Sequence, residues 1–213
     1  MCHHWSEAEL SGFFRWNSAV PALAAILVVC GASEGAAQSA FKWSGELQGV
    51  CFTVESDNAS SLNTVTVTPS GLATDNTPVS MEADGHVTGA EVADLDADGS
   101  PEIYVYVASA GSGAYGSVAA WAANDRKSLS EIHLPELAEN ATYGEGYMGH
   151  DRFSVAERYL SRSFPVYRDG DTNAAPSGGT RQVLYRLVPG EASWRLQIDQ
   201  ATDFEQLNAE GAR

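Results

Sequence analysis

The stretch Asp94-Leu95-Asp96-Ala97-Asp98-Gly99-Ser100-Pro101-Glu102 concentrates carboxylates that could gather around a cation. Acids at alternate positions, Gly99 for a sharp turn and Glu102 beyond it match the first half of an EF-hand-type loop. Such loops converge several hard oxygens on Ca2+. The place of the twelfth-position glutamate is taken by Val105. The same D-x-D-x-D-G spelling also makes an ordinary polar turn between strands, so at this point both readings stay open. Asp94, Asp96, Asp98 and Glu102 are the candidate metal ligands, and calcium is the candidate ion; no other cofactor is required. No C-x-x-C pair exists to hold zinc.

Two further stretches invite a chemical reading. In Tyr143-Gly144-Glu145-Gly146-Tyr147-Met148-Gly149-His150-Asp151-Arg152, His150 beside Asp151 suggests acid–base work, with Ser109 or Ser112 as nucleophile. No G-x-S-x-G elbow accompanies them, and adjacent strand residues point to opposite faces, so the pair is expected to be structural. In Ala108-Ser109-Ala110-Gly111-Ser112-Gly113-Ala114-Tyr115-Gly116, small residues would make a narrow hairpin tip ending in one large aromatic. Two readings stand here: a flexible turn whose Tyr115 tucks onto the sheet, or a probe whose Tyr115 anchors the rim of a partner's cleft.

The elements that must position these stretches are strands. Gly45–Val54, Asn63–Thr68, His86–Leu95, Ile103–Ser109, Ser117–Ala122, Phe153–Leu160, Ser163–Tyr167, Arg181–Val188 and Ser193–Ile198 are short runs rich in Val, Tyr, Phe, Leu and Thr. Ile103, Val105 and Val107 define one face of their strand, and Tyr104 and Tyr106 the other. Ala83-Asp84-Gly85, Gly111-Ser112-Gly113 and Pro189-Gly190-Glu191 punctuate the runs as turns. Only Leu134–Asn140 suggests a short helix. The expected fold is all-β, an antiparallel sandwich or flattened barrel of about eight strands.

Composition narrows the class further. The chain has 213 residues, a formal net charge of -16, and 44% hydrophobic against 19% charged residues. That is a globular domain rather than a disordered acidic tail, and its surface would repel a phosphate backbone, so no nucleic-acid partner is expected. Ala19–Ala32 is an apolar run of signal-peptide length, too short to span a bilayer, with small residues at Gly35 and Ala37 ahead of a cleavage point before Gln38. Residues 1–37 therefore read as a signal segment, with an early start codon accounting for Met1–Phe14, and 38–213 as one exported domain. In a second processing route Leu27-Val28-Val29-Cys30-Gly31 is a lipoprotein signal, Cys30 carries the lipid, and the protein sits on the outer membrane. Cys51 would remain as the one Cys of the exported domain; an odd Cys there means either a covalent bond across a dimer or a buried thiol, and burial among Val50, Phe52 and Val54 is the expectation.

In order and spacing, these loops resemble the periplasmic inhibitors of invertebrate-type (I-type) lysozyme. The run Gly89–Glu102 is followed by Ser109–Gly116, then Gly146-Tyr147-Met148-Gly149-His150-Asp151, Phe164-Pro165-Val166-Tyr167 and Gly170–Gly179, over about residues 45–199. The resemblance implies a compact, non-catalytic, often dimeric β domain that blocks an I-type lysozyme with projecting loops. It assigns the inhibitory S-G-x-Y-like loop to Ser112, Gly113, Ala114 and Tyr115, preceded by Ser109 and Gly111. Ala114 stands where relatives can carry a hydroxyl. It assigns Tyr147, Met148, Gly149, His150 and Asp151 to support of the same surface. Beside this stands an exported calcium-binding β module acting through Asp94–Glu102.

Overall fold

A computed structural model describes residues 39–205. The signal segment and Cys30 lie outside the described residues. Within them the chain forms twelve strands and no helix: β1 Phe41–Leu47, β2 Val50–Ser56, β3 Leu62–Ser70, β4 Val79–Asp84, β5 His86–Ala93, β6 Glu102–Ala108, β7 Gly116–Asn124, β8 Ser128–His133, β9 Arg152–Ala156, β10 Tyr159–Pro165, β11 Thr180–Pro189 and β12 Trp194–Phe204. With no helix, none of the described residues forms one long and apolar enough to cross a membrane.

Two sheets share these strands. One runs β1-β2-β3-β4; the other runs β5-β6-β7-β8-β12-β11-β10-β9 and curls until its ends nearly meet. Across that gap Val155 N–H donates to the Glu91 carboxylate at 3.0 Å, and Phe153 stacks on Tyr106. The all-β expectation stands, with a barrel-like sheet and a second sheet packed beside it. The wall between them is buried on both sides. Ile103, Val105 and Val107, with Ala119, Trp121 and Ala123, face Val50, Phe52, Val54, Val65 and Val67 of the smaller sheet. Tyr104, Tyr106, Ala120 and Ala122 face into the barrel against Leu160, Phe164, Val183, Tyr185 and Leu196. Strict period-two alternation allows one strand to serve two cores.

Four expectations are corrected. Gly45–Val54 is a hairpin, because Gln48 and Gly49 both take positive φ (52° and 81°) and reverse the chain between β1 and β2. Phe153–Leu160 likewise breaks at Glu157, φ 54°, into β9 and β10. Leu134–Asn140 forms turns: seven residues are too few to nucleate a helix, and Asn140 Oδ1 instead accepts from the N–H groups of Thr142 and Tyr143. Cys51 is not buried with its neighbours. Alternation sends Val50, Phe52 and Val54 inward and leaves Cys51 half-exposed on the outer face, in register with Glu46 of β1.

Candidate functional site

Strand direction sorts the loops of the larger sheet onto two rims. The β6–β7 loop, the long β8–β9 connection and the β10–β11 connection all open at one end. The β5–β6 turn that carries the acids, the β9–β10 turn and the β11–β12 turn open at the other. All neighbours in this sheet are antiparallel except β8 and β12, which run parallel where the expected sheet was antiparallel throughout; these directions together join Ser109–Tyr115 to Tyr147–Asp151 and put the candidate metal ligands at the far end.

The β6–β7 loop is exposed at its tip and braced at its base. Ala110, Gly111, Ser112 and Tyr115 are exposed, Tyr115 to 50%. Ala114 N–H donates to Gly111 O at 2.9 Å, closing a turn over Ser112 and Gly113, and Ala114 itself takes φ 40°. Ser109 Oγ accepts from Tyr115 N–H at 2.9 Å, so this hydroxyl braces the loop from within. The N–H groups of Gly111, Ser112 and Gly113 make no hydrogen bond among the described residues. Three successive unpaired N–H groups on an exposed tip are the raw material of an anion-binding surface.

Behind this tip lies the segment Tyr147–Asp151. His150 N–H donates to Gly113 O at 2.7 Å. The approach is possible because Gly149, at φ 90°, has no side chain; a Cβ there would collide with the same carbonyl. Tyr115 meets the Tyr147 ring edge-on at 5.7 Å, and Met148, 42% exposed, extends the apolar rim. His150 Nε2 and Asn173 Oδ1 are 3.1 Å apart, and the imidazole stacks against Tyr167.

Asp151 is the buried anchor of this rim. Its fully buried carboxylate accepts from Arg162 Nε, from the Tyr147 hydroxyl and from Gly116 N–H, each at 2.7 Å. Arg162, nearly as buried, also donates to the Tyr147 oxygen and lies over the Tyr147 and Phe153 rings. Burial pulls the Arg162 guanidinium down, but the hydrogen bond and charge of Asp151 more than reverse this and hold it above its usual range. Burial, then the bond to Asp151, pushes the Tyr147 phenol up, so it stays a neutral donor. His150 and Asp151 serve different partners on opposite sides of the chain and do not form a dyad.

At the other rim Asp94, Asp96, Asp98 and Glu102 each offer an oxygen within 4.8 Å of the others. The turn is held by Asp98 N–H and Gly99 N–H on Asp94, by Ser100 N–H on Asp98, and by Gln48 Nε2 on Asp94 Oδ2 at 2.6 Å. Glu102 is 2% exposed and accepts from Leu95 N–H. Burial, aided by the charges of Asp96, Asp94 and Asp98 and opposed by the Leu95 hydrogen bond, pushes its carboxyl up to about 8. Asp96 is raised too, by burial and then by Asp98. A donor set of hard carboxylate oxygens alone suits calcium rather than the softer zinc or copper. Val105, the twelfth position, is sealed in the core and offers nothing.

Residues 76–142 match the PliI family, the periplasmic lysozyme inhibitors of I-type lysozyme. Members of that family are inhibitors, not enzymes. The match covers less than half of the chain, from the approach to β4 to the turns after β8, and is narrower than the stretch over which the loops resemble the family. It includes the acidic turn and the whole exposed β6–β7 loop. The Tyr147–Asp151, Phe164–Tyr167 and Gly170–Gly179 segments lie beyond the PliI match. No curated protein matches the chain. The PliI family is periplasmic, which implies export.

Two residues central to the rim escaped the sequence reading. Arg162 carried a signal, since Leu160, Arg162 and Phe164 alternate onto one buried face, and a charge at an inward position asks for a partner. Asn173 carried none. It sits in an exposed turn of small residues, and only the fold brings it to Ser112 and His150.

Proposed function

We propose that this domain is an exported inhibitor of I-type lysozyme that inserts the Ser109–Tyr115 loop into the enzyme's cleft. The observation that carries the reading is a half-exposed Tyr115 on a braced loop within the PliI-matched segment, beside three unpaired N–H groups. Lysozymes cut glycan with two carboxyl groups in a groove. Gly111, Ser112 and Gly113 offer those groups N–H donors, with the Ser112 hydroxyl beside them, and no side chain bulkier than a serine obstructs entry. Tyr115 and Met148 cover the mouth, where an aromatic buries area with little rotamer entropy lost. Bracing by Ser109, His150 and Asp151 lowers the ordering cost of binding. The net acidity steers the inhibitor toward a basic lysozyme and raises the on-rate more than the final affinity. No bond is made or broken by this protein. The test is titration of purified 38–213 into I-, c- and g-type lysozymes. Stoichiometric loss of I-type activity is expected, and full activity in the presence of excess domain would refute the reading.

A second reading attaches to the acidic turn. We propose that Asp94, Asp96, Asp98 and Glu102 take up Ca2+ as a structural ion that locks the β5–β6 connection. Four converging carboxylates, one of them buried, favour it. Calcium-dependent melting of the purified domain tests it. An exported module acting through this turn alone would show that melting behaviour and no effect on any lysozyme.

A further inference from the structure

The third segment on the loop-bearing rim is the turn 172–175, closed by Ala175 N–H donating to Thr172 O at 2.9 Å. Asn173 projects from it and spans the other two segments. Its Nδ2 donates to Ser112 O at 2.9 Å. Because that bond makes Nδ2 the donor, Oδ1 is the acceptor, and the His150 Nε2 at 3.1 Å supplies the proton. The Asn173 backbone is pinned from behind by the Tyr167 hydroxyl, which donates to its carbonyl at 3.0 Å, and Tyr167 also stacks on His150. One amide therefore ties the exposed tip to the His150 segment, and its own position is fixed by a residue with 7% exposure.

We infer that Asn173 is a positioning residue for the Ser109–Tyr115 loop, holding the Ser112 carbonyl so that the unpaired N–H groups at the tip face outward. This rests on the proposed inhibitor reading. Asn173 is itself exposed, so its replacement leaves the core untouched. Aspartate at 173 keeps an acceptor for His150 but loses the donor to Ser112, and alanine loses both. The two variants thus separate the halves of the bridge.

The experiment compares wild type, Asn173→Ala and Asn173→Asp in three measurements: melting, hydrogen exchange of the Ala114 and His150 amides in the free protein, and association and dissociation rates with an I-type lysozyme. Unchanged melting, faster exchange in both variants and about tenfold faster dissociation are expected, the size of one neutral hydrogen bond. Unchanged exchange overturns the strut, whatever the lysozyme does. Faster exchange with unaltered kinetics overturns its role in binding. Aspartate behaving as wild type would move the role to His150 alone and overturn the Ser112 bond as its basis. If the wild type binds no lysozyme, the inhibitor reading fails, while the exchange data still decide whether Asn173 orders the loop.

Discussion

Asp151→Asn is the sharpest perturbation of this rim. The carboxylate has no exposed surface and accepts from three donors, and Arg162, with 5% of its side chain exposed, pairs with no other anion among the described residues. Asparagine is nearly isosteric but neutral, and one of its two side-chain ends is a donor facing donors. Removing one partner of a buried ion pair costs about 3–5 kcal/mol, most of it from the charge left behind. For a domain of this size each kcal/mol moves the melting temperature by about 2–4 °C, so a fall of about 10 °C is expected. Urea unfolding measures the free energy, and a cycle with Arg162→Met isolates the coupling. Arg162→Met alone strands the carboxylate and is also costly. The double variant removes both charges and should lose clearly less than the two singles together. Because Asp151 holds Gly116 N–H and the Tyr147 ring behind Tyr115, the single variant should also inhibit more weakly at temperatures where it remains folded. A loss below about 1 kcal/mol, or additive single effects, would refute the buried pair as the anchor of this rim.

Tyr115→Ala should weaken inhibition at least about thirtyfold, as a hot-spot aromatic does, with melting unchanged, because half of the ring is already in water. Gly113→Trp should do the same by displacing Tyr115, whose ring atom Cε2 lies 2.5 Å from where a Cβ would stand; unaltered inhibition by both variants would reject the loop assignment. Glu102→Gln, studied in chelator, should leave melting unchanged at pH 5 and raise it at pH 9. The folded carboxyl titrates near 8 against 4.5 for a free one, so the wild-type fold binds the extra proton in that window and loses stability as pH rises through it; a gain independent of pH would contradict the burial penalty. Millimolar calcium should raise the melting temperature of wild type and not of Asp96→Asn, and chelation should leave inhibition intact, which differential scanning calorimetry and a lysozyme assay check together.

How much of this was legible depends on the range of the interaction. Alternation in Ile103–Val107 foretold a strand with two distinct faces, and both faces proved buried. The acidic turn and the Ser/Gly/Tyr loop were visible because each is spelled within a few consecutive residues. The hairpin at Gln48–Gly49 was missed because glutamine seldom occupies positive φ; Gln48 does so while its amide reaches Asp94 and its carbonyl accepts from Arg126, both distant in sequence. Cys51 was misplaced by reading apolar neighbours as surroundings, whereas in a strand the adjacent residues face away. The Asp151–Arg162 pair and the Asn173 bridge join residues 11 and 61 positions apart, and only the closing of the barrel brings them together.

The separation of the two rims decides how the two proposed sites relate. β6 begins at Glu102, inside the acidic turn, and ends at Ala108, where the exposed loop starts. Six residue steps of strand at about 3.3 Å each put roughly 20 Å of fully buried backbone between them. A bound cation at one end cannot touch a partner seated at the other, so it acts on the loop only through the rigidity of the strand that connects them. That strand is buried on both faces and packed against two cores, so it is already rigid without an ion. The loop, by contrast, is held by bonds on its own rim, from Asp151, His150 and Asn173. On the two proposed readings, a calcium ion would therefore bear on the stability of this fold, and the geometry of inhibition on the polar braces beneath Tyr115.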